Sequence, residues 1–134
     1  MGKNKIVQEV LLPASPAEVY DMLADPRKHS EFTGAKAAGT DRLGGKFSTW
    51  DGYSFGRNLD LARGKKIVQE WQTTNWPKGA KPSKVILSFY AKGKGTLLKF
   101  MQADVPSELL GDLKQGWIDF YWNPLKEYFK KGKR

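Results

Sequence analysis

Polar and apolar residues alternate with a period of two through most of the chain and change to a helical period near its end. Lys5 to Leu12 (KIVQEVLL) is aliphatic and β-branched apart from Gln8 and Glu9, and reads as a first strand. Lys66 to Thr74 places Ile67, Gln69 and Trp71 on one face. Lys84 to Ala91 does the same with Val85, Leu87 and Phe89, and Thr96 to Ala103 with Thr96, Leu98, Phe100 and Gln102. Asp51-Gly52 predicts a two-residue hairpin between strands at Lys46–Trp50 and Tyr53–Leu61. Arg63-Gly64-Lys65 and Lys92-Gly93-Lys94-Gly95 read as turns, and Pro77 to Ser83 as a loop. Connections this short join antiparallel neighbours, because parallel strands need crossovers.

Two short helices interrupt the strands early. Ser15-Pro16-Ala17-Glu18 carries a capping serine, a first-turn proline and the glutamate of a capping box, with Val19, Tyr20 and Leu23 on the inner face. Asp25-Pro26 restarts the pattern for a second helix to about Phe32, closed by Gly34. From Leu109 to Phe129 the period is helical. Leu110, Leu113, Trp117, Phe120, Tyr121, Pro124, Leu125 and Tyr128 share a face, which Ile118, Trp122 and Phe129 widen to roughly 200°. A surface helix needs an apolar stripe of only about 100°, so this one must be gripped from more than one side. The element order predicts an α+β fold of one domain over residues 1–134, with a frayed basic tail at 130–134. A curved antiparallel sheet of about six to seven strands carries two short helices after the first strand. The long C-terminal helix packs across its concave face.

Composition narrows the chemistry. There is no cysteine, which excludes disulfides and thiolate metal sites. The net charge is +9, but Lys3, Lys5, Lys130, Lys131, Lys133 and Arg134 lie at the ends, and without them 17 basic face 14 acidic residues. That excess gives solubility and a mild pull on acidic partners before it argues for polyanion binding. No apolar run nears the ~20 residues of a membrane span. The first residues carry charge without the apolar stretch of a secretory signal, and Ile6 stands where a myristoylation motif needs Ser or Thr. A soluble cytoplasmic protein is expected.

Specific residues then point to a family. Glu31-Phe32-Thr33-Gly34-Ala35, Gly44-Gly45-Lys46-Phe47 with Asp51-Gly52, Ile67-Val68-Gln69-Glu70-Trp71, Trp76-Pro77, Val105-Pro106, and Gln115-Gly116-Trp117 with Tyr121-Trp122 occur in order. This succession resembles the activator of ninety-kilodalton heat-shock-protein ATPase family, in its C-terminal-type domain, from roughly Ile6 to Phe129. The resemblance implies a helix-grip, START-like fold and contact with a heat-shock chaperone. Eukaryotic co-chaperones of that family carry an N-terminal domain that does much of the clamping. This chain opens directly at the C-terminal-type domain, so full activation lies beyond what the resemblance implies. Asn58 departs from the pattern, standing where such domains often place an apolar residue.

The residues themselves offer little catalysis. The single histidine, His29, sits beside Lys28 and Glu31 on a helix that reads as exposed. A zinc site would need a carboxylate cluster that is not evident, and no nucleophile elbow surrounds any serine. Gly34 to Thr40 has the glycine spacing of a phosphate-binding loop with Thr40 in place of the lysine. Glu9 and Glu70 lie in strands and would serve proton transfer only if they faced a cavity. No catalytic residue, metal or cofactor is assigned.

The aromatic residues carry the stronger signal. Phe47, Trp71, Phe89, Phe100, Trp117 and Tyr121 fall on faces that should converge, with Leu87, Leu98, Leu113 and Leu125 among them. Either they fill a core, or they line a pocket for a small apolar molecule or lipid between helix and sheet. Gln69, Gln102, Thr96, Arg57 and Asn58 are the polar groups on those faces. Lys114 falls within the apolar arc, where it could meet a carboxylate headgroup at a cavity mouth or extend to water. Trp50, Tyr53 and Phe55 at a hairpin, and Trp76 beside Lys78 and Lys81, make only a thin case for nucleic acid. The expectation is a non-enzymatic monomer or weak dimer that binds an apolar ligand. The alternatives are a chaperone-interacting module and a cyclase-like enzyme on the same fold.

Overall fold

In the computed structural model, which describes residues 4–131, strand β1 (Ile6–Leu12) leads into helices α1 (Pro16–Ala24) and α2 (Pro26–Thr33). Strands β2 (Ala38–Gly39), β3 (Lys46–Thr49), β4 (Ser54–Ala62), β5 (Lys66–Thr73), β6 (Ser83–Lys92) and β7 (Gly95–Ala103) follow. A 3₁₀ turn (Ser107–Leu109) then opens α3 (Leu110–Trp117), a π-helical segment (Ile118–Trp122) and α4 (Asn123–Lys130). The strands form one antiparallel sheet in the order β1-β7-β6-β5-β4-β3-β2. This is the helix-grip arrangement, with the C-terminal helix across one face of the sheet. Of the basic tail, Lys130 ends α4 and Lys131 caps it, while 132–134 lie outside the described residues.

Local chemistry sets the helix ends. The Glu18 amide donates to Ser15 Oγ at 3.2 Å, and the Ser15 amide donates to Glu18 Oε1 at 3.0 Å, a reciprocal capping box. Asp25 Oδ1 accepts from the Arg27 amide at 3.0 Å, and Gly34 closes α2 at φ 78°.

Thr96, Leu98, Phe100 and Gln102 of β7, all within 1 % of full burial, face the C-terminal helix. Alternation puts Leu97, Lys99 and Met101 on the outer face. Gly56 in β4 allows the sheet to curl. A Cβ there would lie 1.8 Å from the Glu70 carbonyl oxygen and 3.2 Å from the Phe47 ring. Two residues further on, the register shifts between Asn58 and Asp60, and this bulge turns the strand more sharply.

Two elements differ from the sequence pattern. The connection at Asp51-Gly52 has four residues, because Thr49 pairs with Ser54. Trp50 and Asp51 take left-handed φ values of 52° and 57°, followed by Gly52 at 90°. Trp50 leaves the strand because its ring packs on Phe120 and Tyr121, at centroid distances of 5.4 and 6.5 Å.

The long helix is also not uniformly α. The Asn123 amide donates to the Ile118 carbonyl five residues back. This wide turn makes the helical phase lag by about one residue. Trp117 and Trp122, five apart, therefore lie on the same side, with rings 5.6 Å apart and 20° from parallel. Phe120 swings out to 54 % exposure and Ile118 to 37 %. The buried set is Leu113, Trp117, Tyr121, Trp122, Leu125 and Phe129, a narrower stripe than a straight α-helix gives.

The two glycine environments predict opposite effects. Gly56→Ala should lower stability by on the order of 3 kcal/mol, because backbone must move. Gly111→Ala, whose new methyl would meet open space in α3, should raise it by up to about 1 kcal/mol. Urea denaturation of both variants checks the pair. Equal effects would show that the sheet tolerates a side chain at the bend.

Candidate functional site

The surface between helix and sheet is built from indoles and amides. Trp117 Nε1 donates to Gln102 Oε1 at 2.8 Å. Gln102 Nε2 donates to Ser83 Oγ at 2.9 Å, and Ser83 Oγ donates to the Trp71 carbonyl at 2.6 Å. A second tie lies toward β1. Trp122 Nε1 donates to Gln8 Oε1 at 2.7 Å, and Gln8 Nε2 donates to the Lys114 carbonyl at 2.9 Å. Aromatic rings fill the space between these ties. Phe100 and Trp117 sit 4.5 Å apart, Trp71 and Trp117 5.1 Å, and Trp117 and Tyr121 4.4 Å.

This packing leaves a small cavity of about 30 Å³, lined among others by Phe47, Gln69, Trp71, Leu87, Trp117 and Tyr121. That space suits a water or two and is far below the few hundred Å³ of a small-molecule pocket. A larger open groove of about 420 Å³ lies outside it. The β3–β4 turn forms one wall and the helix the other, with Trp71, Trp117 and Tyr121 shared between groove and cavity.

The expected pocket residues therefore separate. Phe47, Gln69, Trp71, Leu87, Trp117 and Tyr121 border the interior cavity, and Leu113 joins Trp71, Trp117 and Tyr121 in the groove. Phe89, Leu98, Phe100 and Leu125 border neither and are buried structural core. Lys114 is exposed and borders neither, so only its carbonyl serves the site. Glu9 is exposed, and Glu70 points to the outer face with Lys84 as its cross-strand neighbour. Of the aromatics that made the thin case for nucleic acid, Trp50 and Trp76 are engaged internally, while Tyr53 is exposed. Trp50 packs on the helix, and Trp76 donates Nε1 to the Lys81 carbonyl at 3.0 Å while its ring meets Trp71.

His29 is the main correction. It is 5 % exposed, facing inward from α2 against Phe32 and Tyr121. Its Nδ1 lies 3.1 Å from the Leu23 carbonyl, which can only accept, so Nδ1 carries the proton. Nε2 is then a bare acceptor, buried without a hydrogen-bond partner among the described residues. Burial pushes the His29 pKa down to about 4, only partly offset by the bond to Leu23. The neighbouring charges Lys28 and Glu31 made the helix face read as polar. The signal for burial was the i, i+3 pairing of His29 with Phe32.

Asn58 is likewise buried by its partners. It is 3 % exposed and donates from Nδ2 to the Thr40 and Arg42 carbonyls at 3.0 and 3.2 Å. Its Oδ1 accepts from Gln69 Nε2 at 3.0 Å. An amide thus stands in an apolar position because it ties down the loop before β3. Nearby, Thr49 Oγ1 bonds both Ser54 Oγ and the Tyr121 hydroxyl, the latter at 3.1 Å. Burial raises the Tyr121 pKa, against the opposing pull of the Thr49, Ser54 and Trp50 side chains. Trp50 Nε1 nonetheless makes no well-formed hydrogen bond among the described residues, although it is buried.

Comparison with known proteins places this geometry. Residues 13–130 match the family model described as activator of Hsp90 ATPase homolog 1-like protein. A Dictyostelium discoideum protein named activator of 90 kDa heat shock protein ATPase homolog is 35 % identical over 104 residues, covering 77 % of this chain and 27 % of its own length. The human activator of 90 kDa heat shock protein ATPase homolog 1 is 31 % identical over 130 residues, covering 97 % of this chain and 38 % of its own. The chain thus spans well under half the length of these relatives. An HSP90 activator from Plasmodium falciparum shares the fold, with a TM-score of 0.87 at 21 % identity over 94 % of this chain and 96 % of that one.

The buried histidine sets a pH dependence. The unfolded chain binds a proton at His29 near the ordinary value of 6.5, and the folded chain only near 4. Stability from this residue is present above pH 6.5 and is lost as pH falls toward 4. Between pH 7 and pH 5 the loss should be about 2 kcal/mol. Urea midpoints at the two pH values measure it, and His29→Phe should flatten that part of the profile. An unchanged slope in the variant would place the titrating group elsewhere.

Proposed function

The chain belongs to the activator of Hsp90 ATPase homolog 1-like family, and on that premise we propose that it works as a chaperone-docking module in the cytoplasm. The observation that carries this reading is the filled grip. The cavity of about 30 Å³ bordered by Gln69, Trp71, Trp117 and Tyr121 leaves little room for an enclosed apolar ligand, which favours recognition at the surface. The relatives' names supply the partner class, a 90 kDa heat-shock protein. The reading is of a binding protein rather than an enzyme, since the two strand carboxylates considered for proton transfer lie away from the interior.

The outer sheet face is the surface that best suits a protein partner. Cross-strand register aligns Val7, Met101, Ile86 and Val68 in one row, and Leu11, Leu97 and Tyr90 in another. Val7 is 69 % exposed, Leu11 59 % and Tyr90 50 %. Between the rows run Glu9, Lys99, Ser88 and Lys66, with Lys99 Nζ 3.8 Å from Glu9 Oε2. Among the described residues no helix covers this face. Val68 at the β5 end is buried and Ile86, Leu97 and Met101 are half-buried, so the exposed apolar part of this face is Val7, Leu11 and Tyr90, and exposed apolar residues framed by charge suit an interaction surface.

Titration of the ¹⁵N-labelled chain with a 90 kDa heat-shock protein should broaden or shift amides of β1, β6 and β7, and should change the chaperone's ATPase rate. The double variant Val7→Glu/Leu11→Glu should lose that response while its melting temperature stays within a few degrees, because both side chains already face water. Absence of any response in the wild-type chain, or a response unchanged in the variant, would overturn the reading.

A further inference from the structure

An open groove of about 460 Å³ lies where the end of β1 meets the β6–β7 turn. Leu11, Leu12 and Pro13 form one wall, and Lys92, Lys94, Gly95 and Thr96 form the other. Two close contacts hold the walls together. A Cβ at Gly95 would lie 2.3 Å from the Leu12 carbonyl oxygen, so only glycine lets the turn approach β1 this far. Thr96 Oγ1 donates to the Ala14 carbonyl at 2.7 Å. The groove is therefore preformed, and the exposed Leu11 joins it to the outer face of the sheet.

Charge defines what fits. Lys92 and Lys94 are exposed and make no ion pair among the described residues, and no Asp or Glu lines the groove. Across β1, β6 and β7 the one acidic residue is Glu9, and Lys99 already meets it at 3.8 Å. Glu18, the next acidic residue after Pro13, is turned back to cap α1 and accepts from the Ser15 amide at 3.0 Å. Two uncompensated ammonium groups thus stand over an aliphatic wall. A carboxylate-rich partner finds complementary charge here, and a basic one is repelled. The groove is concave and takes an inserted side chain, which favours a segment of protein over the flat surface of a bilayer.

We propose that this groove receives an acidic segment of the protein partner, with one aliphatic side chain against Leu11 and Pro13 and flanking carboxylates on Lys92 and Lys94. This names the chemistry of the partner at the outer sheet face and rests on the docking reading given above.

Two blocked peptides, Asp-Asp-Leu-Asp-Asp and Asn-Asn-Leu-Asn-Asn, test it by NMR on the ¹⁵N-labelled chain. The aspartyl peptide should shift the amides of Leu11 and of Lys92 to Thr96. At low salt it should bind about threefold to tenfold tighter than the asparaginyl peptide, the factor of two exposed charge pairs. The difference should vanish near about 1 M salt, where charges are screened within about 3 Å. Lys92→Gln/Lys94→Gln should bind the two peptides equally while its melting temperature is unchanged, because both side chains face water. Leu11→Ser should weaken both peptides alike. The lysine variant should also weaken binding of the 90 kDa heat-shock protein. No binding of the aspartyl peptide, equal binding of the two peptides by the wild-type chain, or shifts confined to other surfaces would each overturn the proposal. So would tighter binding to phosphatidylserine–phosphatidylcholine vesicles than to the aspartyl peptide. Chaperone binding that the lysine variant leaves unchanged would overturn it and leave the docking reading standing. Peptide binding in the groove with no response to the chaperone would overturn the docking reading alone.

Discussion

A hydrogen-bonded indole holds this fold together. Trp117 sits at the middle of the C-terminal helix, and its N–H reaches Gln102, whose amide continues through Ser83 to the backbone of β5. Each of these groups is buried, so each would be costly unpaired. The relay fixes the height and rotation of the helix over the sheet. The Trp122–Gln8 pair fixes it a second time near β1. Both indoles can face the sheet only because the π-helical segment brings residues five apart to one side. The same turn expels Phe120, which becomes a groove wall. The irregularity that locks the grip also shapes the groove beside it.

Filling the grip has a functional consequence. A START-like sheet and helix can enclose a ligand, but here Trp71, Phe100, Trp117 and Tyr121 occupy that volume. The polar groups in the interior include a bare His29 nitrogen and the mutually hydrogen-bonded hydroxyls of Thr49, Ser54 and Tyr121. These suit water rather than lipid. A filled interior leaves the outer surface as the place to look for a partner.

Much of the fold was legible in the sequence because period, caps and turns agreed. Ile67 and Trp71, Val85, Leu87 and Phe89, and Leu98 and Phe100 alternate cleanly, and Ser15 and Asp25 cap as their neighbours predict. The departures share a physical origin in long-range packing that local pattern does not encode. Trp50 leaves its strand for the helix, and a single wide turn reassigns Phe120 and Trp122. His29 is buried although charged residues surround it in sequence. Of the expected pocket, the members nearest the helix centre come together around open space, while Phe89, Leu98, Phe100 and Leu125 are consumed as core. Volume is set by how side chains interlock, and sequence spacing gives direction without depth.

Hydrogen exchange of the tryptophan side chains measures the grip itself. If the Trp117–Gln102 relay holds helix to sheet, the Trp117 and Trp122 indole protons should exchange only through global unfolding, with the free energy that urea denaturation gives. Exchange of Trp117 far ahead of the backbone amides of β6 and β7 would show that the helix lifts from the sheet, and would contradict a closed interior.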